Sequence, residues 1–161
     1  MAEAAWRAAR DAADVRVRLM IDLGAQLGLR RAEIAAVHRK DVVGDGNGWA
    51  LIVRGKGRRE RTLPLTDDLA TRLLRASGWV FPSTQPDSHL TPDRVGRLMQ
   101  LASHGEWSAH QLRHRFASTV YNATGDLLST QQLLGHSKPE TTQGYVRVAD
   151  NRLRAAAATA A

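Results

Sequence analysis

Four short segments hold residue types that can act on a phosphodiester. In SAHQLRHRFAS at 108–118, His110 and Arg113 stand three positions apart, a spacing that puts both on one helix face. A titratable imidazole beside a permanent cation near a helix N-terminus suits a phosphate. In LGLRRAE at 27–33, Gly28 allows a tight turn, Arg30 opens a helix with a guanidinium that can grip phosphate bidentately, and Glu33 lies where it can orient Arg30. In RGKGRRERTLPL at 54–65, Lys56 stands between glycines at a hairpin tip, where it can reach into a groove and donate a proton. In LLGHSKPETTQGYVRV at 133–148, Gly135 ends a helix and fixes where His136 points, and Tyr145 follows nine residues later. A free phenol ionises near pH ~10, so Tyr145 becomes a nucleophile only beside cations such as Arg or His⁺ that stabilise phenolate. Tyr121, the other tyrosine, sits in an apolar helical pattern and is assigned to the core.

Taken singly, each pattern has an ordinary explanation. Arg30 with Glu33 could be a surface helix pair, Lys56 a solvated turn, and HxxR a chance spacing. His114 is read as turned away from the face of His110 and Arg113, as a structural residue or a DNA contact.

The elements that must position these residues are mostly helical. Residues 2–14 are Ala-rich and read as a helix. Val15, Leu19, Leu23 and Leu27 form an apolar stripe on a second helix ending near Gly28. Ala32–Val37 reads as a short third. The period then changes to that of strands: residues 41–43, 49–53 and 60–65, separated by the Gly-rich turns GDGNG and GKGRR, make a three-stranded antiparallel meander. Thr66 caps the next helix, whose buried face is Leu69, Leu73 and Leu74. Residues 77–89 are a loop in which Trp79, Val80 and Phe81 pack on the core. Thr91 with Pro92 opens another helix, with Val95, Leu98 and Leu101 inward. Ser108 caps a longer helix to about Thr124, and Leu127–Leu134 is closed by Gly135. Pro139 opens a short helix reaching Tyr145, and residues 151–158 form an Ala-rich helix. The fold class is α+β, mainly α-helical, with one small antiparallel sheet.

The chain has 161 residues, 43% of them hydrophobic, which suits one compact domain. It has no cysteine, which excludes disulfides and cysteine-held metals. It has no apolar run of membrane length and no secretory signal, so an intracellular protein is expected. The formal net charge of +7 favours an anionic partner such as DNA.

Together and in this order, the four segments resemble the tyrosine recombinase (phage integrase) family, over nearly the whole chain from about Val15 to Asn151. The resemblance implies the fold of DNA breaking–rejoining enzymes and site-specific recombination through a 3′-phosphotyrosyl intermediate. It assigns catalytic roles to Arg30, Lys56, His110, Arg113, His136 and Tyr145, with Glu33 in support. Arg31, Arg58, Arg59, His114 and Lys138 are the expected DNA contacts. Leu27, where Thr or Ser is usual, and Arg31, often aliphatic, depart from the family's pattern without removing a reactive group. No cofactor or metal is implied. The expected partners are double-stranded DNA and further copies of the chain, a tetramer on DNA joined through the Ala-rich tail at about 150–161. Residues 1–161 are expected to be a single catalytic domain, without the family's N-terminal core-binding domain. The expected setting is the cytoplasm of a bacterium, with a chromosomal or phage gene, at the nucleoid when bound. Relaxation of supercoils by a type IB topoisomerase, or a non-catalytic DNA-binding module, are the alternative readings.

Overall fold

The computed structural model describes residues 3–44, 46, 48–55 and 60–135. Lys56, Arg58, Arg59, His136, Lys138, Tyr145 and the two helices expected after Pro139 lie outside them. The order of elements is α1 (Glu3–Ala12), α2 (Val15–Leu27), α3 (Arg31–Ala35), a 3₁₀ turn (Arg39–Asp41), β1 (Val42–Gly44), β2 (Trp49–Arg54), β3 (Glu60–Leu65), α4 (Asp67–Leu74), α5 (Pro92–Ala102), α6 (Ala109–Thr124) and α7 (Leu127–Leu134).

Most boundaries follow from capping chemistry. Asp14, Thr66, Thr91, Ser108 and Asp126 each accept a backbone N–H of the following first turn through a side-chain oxygen. Pro92 takes the first position of α5, where its missing N–H costs nothing. Left-handed glycines end α2, α6 and α7.

α2 is the central element and packs against α1, α3, α5 and α6. Its Met20, Ile21 and Leu23 are completely buried; full burial of such side chains contributes about 1.5–3 kcal/mol each. The apolar stripe expected on this helix holds for Leu19, Leu23 and Leu27 but not for Val15, which is 77% exposed in the first turn after the Asp14 cap. On α5, Val95 and Met99 are buried, while Leu101, expected inward, is 63% exposed in the last turn. Tyr121, assigned to the core, is half-buried and stands outside the apolar clusters.

The sheet runs β1-β2-β3, all antiparallel, with Leu51 opposite both Val42 and Leu63, and Val53 opposite Arg61. Leu51, Val53, Leu63 and Leu65 are buried. Because side chains alternate along a strand, Arg61 shares the inward register of Leu63 and Leu65. The long connection after α4 is anchored by Arg39 N–H donating to Gly78 O at 2.9 Å and Val80 N–H to Val37 O at 3.0 Å. Phe81 is fully buried there, while Trp79 and Val80 are half-buried. At the other end α1 is clasped to α6. Arg115 stacks 4.6 Å from the Trp6 ring and donates to Glu3 at 2.7 and 2.8 Å. The Arg115 hydrogen bonds hold the Glu3 carboxyl down to about 2. No described helix is long and apolar enough to cross a membrane.

Candidate active site

Glu33 is the centre of the site. Its carboxylate is 4% exposed, and it accepts from the Arg30 backbone N–H at 2.8 Å and Arg30 Nη1 at 2.9 Å. It also takes two parallel bonds from Arg61, Nη1 at 2.9 Å and Nη2 at 2.8 Å. Such fork-to-fork pairing fixes both planes. Arg113 Nη1 lies 3.9 Å from the same carboxylate. Burial alone would raise the Glu33 pKa, but the Arg61 hydrogen bonds, the Arg30 amide and the two guanidinium charges outweigh it. The carboxyl therefore titrates below its ordinary range.

Arg30 stands at the start of α3 in extended conformation (φ −74°, ψ 153°), and its side chain remains 42% exposed. Glu33 thus holds one end of that guanidinium while the side chain still faces solvent. The preceding turn needs Gly28. At φ 64° it is left-handed, and a Cβ there would collide with the Phe116 ring.

Arg113 is buried on α6. Its Nη1 donates to Gly28 O at 2.5 Å and its Nη2 to Leu134 O at 2.6 Å. One guanidinium therefore ties the turn before Arg30 to the end of α7, the last described helix before His136. Arg61 reinforces the same end: its Nε donates to Leu133 O at 2.9 Å. Gly135 (φ 64°) makes room for it, since a Cβ there would lie 2.9 Å from Arg61 Cδ and Nη1.

His110 lies one turn before Arg113 and is exposed where Arg113 is buried. Its Nε2 is 2.8 Å from Nε2 of His114, with the rings edge to face and centroids 4.3 Å apart. His114 is therefore not turned away, as expected from the sequence. Residues four apart on a helix are neighbours, and the two imidazoles meet. Partial burial, then the charges of His110 and Arg113, hold the His114 pKa below the ordinary imidazole range. Arg31 is an exposed side chain pairing with Asp93 of α5 at 3.3 Å.

The structure thus brings Arg30, Glu33 and Arg113 together, with His110 one turn away on α6. Arg61 escaped the sequence reading. The signal was present: position 61 falls on the buried face of an alternating strand, and an arginine there needs an acidic partner. Among the described residues, no group of three His, Cys, Asp or Glu side chains is placed to hold a metal ion.

The model of the phage integrase family matches residues 2–152. The tyrosine recombinase XerD of Rhizobium meliloti is 36% identical over 158 residues, covering 88% of this chain and 50% of that protein. XerC of Xanthomonas axonopodis pv. citri is 32% identical over 151 residues, 83% of this chain and 47% of that protein. The chain spans about half the length of the curated relatives it matches. Among solved structures, the integrase from mycobacterium phage Brujita superposes with a TM-score of 0.69 at 30% identity, over 91% of this chain and 53% of that one. The XerH site-specific recombinase bound to its difH substrate shares the fold, with a TM-score of 0.75 at 24% identity over 98% and 53% of the two chains. With three arginines gathered on Glu33 and a family model that extends over both ends of the described structure, the chain belongs to the phage integrase family.

Proposed function

We propose that the chain is the catalytic unit of a site-specific DNA recombinase that cuts and rejoins strands through Tyr145. The observation that carries this reading is the cluster at Glu33. Arg30 and Arg113, the two residues expected to hold the scissile phosphate, lie on one carboxylate in a region of net positive charge. The XerC and XerD relatives are recombinases, which favours this chemistry over supercoil relaxation or passive DNA binding.

In the proposed reaction the Tyr145 oxygen attacks phosphorus and the bond from phosphorus to the 5′-oxygen breaks. His110 takes the phenol proton, and Lys56 gives a proton to the departing 5′-hydroxyl. Arg30 and Arg113 stabilise the charge on the non-bridging oxygens, a contribution of roughly 3–4 kcal/mol for one preorganised donor. His136 adds a hydrogen bond to the phosphate. Glu33 and Arg61 touch no substrate and keep the two arginines in place. Arg31, Arg58, Arg59 and Lys138 contact flanking backbone, so binding weakens steeply with salt. No metal or cofactor enters the scheme, and the phosphotyrosyl bond conserves the energy needed for rejoining. The active form is a tetramer on double-stranded DNA joined through the tail at about 150–161, acting in the bacterial cytoplasm at the nucleoid.

A nicked DNA duplex that releases a short 5′ fragment after cleavage tests the reading. The wild-type chain is expected to accumulate a covalent adduct, with the DNA-linked peptide containing Tyr145. Tyr145→Phe should bind the duplex and form none. An adduct surviving that substitution would overturn the nucleophile assignment.

A further inference from the structure

Asp41 is a buried carboxylate that the reaction above does not use. It ends the 3₁₀ turn Arg39–Asp41, and its own N–H donates to His38 O at 2.9 Å. Val42, the next residue, opens β1 and pairs with Leu51 of β2. Arg54, at the end of the same strand β2, donates to Asp41 Oδ1 through Nη1. Its Nε donates to Glu60 Oε1 at 2.9 Å, and Arg54 and Glu60 are register partners at the adjoining ends of β2 and β3. The Arg54 side chain is 51% exposed, whereas that of Asp41 is 7% exposed. One guanidinium thus joins the turn before β1, the end of β2 and the start of β3. Four residues separate Gly55 from Glu60 in sequence, and Lys56 is the first of them. Asp41 and Arg54 also line, with Glu33, one depression between α3 and β2, so this junction borders the arginine cluster.

We infer that Asp41 is a positioning residue for the general acid: through Arg54 it fixes the two strand ends between which the Lys56 segment runs. The inference rests on the cleavage reading above, in which Lys56 gives a proton to the departing 5′-oxygen. A proton donor must come within about 2.6–3.2 Å of the oxygen it serves, so the ends that carry it have to be held. Strand ends open more readily than strand centres. An exposed pair such as Arg54 with Glu60 holds them weakly, because solvent and salt screen it. The buried carboxylate supplies the fixed point, since it cannot follow a moving guanidinium into water. Its burial also keeps Asp41 from touching DNA, which separates its effect from that of a phosphate contact.

Single-turnover cleavage of two nicked duplexes tests this role, one with the ordinary bridging 5′-oxygen and one with sulfur in its place. A thiolate leaves without taking a proton, so the sulfur duplex bypasses the general acid. On the ordinary duplex Asp41→Asn should cleave roughly tenfold slower, part of the 10²–10⁴ that a placed proton carrier contributes, with DNA affinity unchanged. On the sulfur duplex it should return to the wild-type rate, as Lys56→Ala should. Glu33→Gln, which disturbs the arginines of the phosphate, should stay slow on both. Arg54→Gln, at a half-exposed position, should recover on sulfur like Asp41→Asn, and it carries the test if Asp41→Asn does not fold. Equal slowing of Asp41→Asn on both duplexes, or no slowing on either, would overturn the inference. Recovery in Asp41→Asn without recovery in Lys56→Ala would also sink it, because the acid being placed would not be Lys56. Amide hydrogen exchange reads the anchor without DNA: at the adjoining ends of β2 and β3 it should quicken at least about tenfold in Asp41→Asn. Unchanged exchange there refutes the anchor. Quickened exchange in the variant, with a wild-type chain that cuts neither duplex, upholds the anchor and refutes the cleavage reading.

Discussion

Among the described residues, Asp22 and Glu33 are both buried carboxylates gripped by more than one arginine, yet the two are built differently. Asp22 of α2 takes Arg10 of α1 at 2.5 and 3.2 Å and Arg72 of α4 at 2.6 Å. Arg10 also bonds Asp11, and Arg72 also bonds Asp68. Two arginines therefore meet three carboxylates, and each cation ends on protein acids. Around Glu33 the balance is reversed: Arg30, Arg61 and Arg113 surround one carboxylate. The first arrangement knits three helices. Among the described residues the second gathers three arginines on one carboxylate with Arg30 at the surface, an arrangement that suits an anionic ligand. A buried arginine–carboxylate pair alone says little about function, since such pairs stabilise weakly against apolar substitutes. The local charge balance is what separates the two.

The comparison can be broken by substitution. Asp22→Ala takes from Arg10 and Arg72 the buried carboxylate they share, leaving each only an exposed acid, and should cost about 3–5 kcal/mol in urea unfolding, while the folded fraction cleaves at the wild-type rate. A matching loss of single-turnover cleavage would erase the distinction. Glu33→Gln should do the opposite. Adduct formation should fall by at least about 10²-fold, as when a preorganised transition-state donor is lost, with a smaller effect on unfolding because the near-isosteric amide keeps an oxygen that can accept from Arg61. Gly135→Ala and Gly105→Ala sharpen the same point. Both residues have positive φ (64° and 81°), so each alanine should cost roughly 1–2 kcal/mol of backbone strain. Only at Gly135 does a Cβ press on Arg61, whereas at Gly105 nothing lies within 4 Å. Cleavage should therefore drop in the first variant alone, measured on folded protein.

The smallest effect concerns pH. The Glu33 carboxyl titrates below its unfolded value, so its contribution to stability is fully present above the ordinary carboxylate range of about 4.3. It is lost as pH falls through the depressed folded value. Urea midpoints followed downward from pH 5 should decline less steeply in Glu33→Gln than in the wild-type chain. Equal slopes would mean that Glu33 contributes nothing to the acid sensitivity.

Most of the architecture was readable because its boundaries are local. A cap residue and the first turn it serves are neighbours in sequence, so Thr66, Thr91, Ser108 and Gly135 announce their helices regardless of what packs on them. Strand alternation placed the meander for the same reason. Depth is less local. Val15 and Leu101 continue apolar patterns along helices whose packing partners have run out, and no periodicity shows where a partner ends. Met99, not Leu101, reaches the floor of α5. The site divides in the same manner. Arg30 with Glu33 and His110 with Arg113 are three apart and visible as motifs. Arg61 meets Glu33 across 28 positions and Leu133 across 72, so only the inward register of β3 hinted at it. The meeting of His110 with His114 follows from helix geometry and was misjudged rather than hidden.

Arg113 reaches Gly28 across 85 positions and Leu134 across 21. Those two carbonyls belong to opposite ends of the described chain, so the guanidinium can be seated only after both have been synthesised and brought back together. A nascent polypeptide still lacking α7 has its helical centre but not this clasp. Arg113 therefore reaches its full set of backbone partners only once α7 has been made.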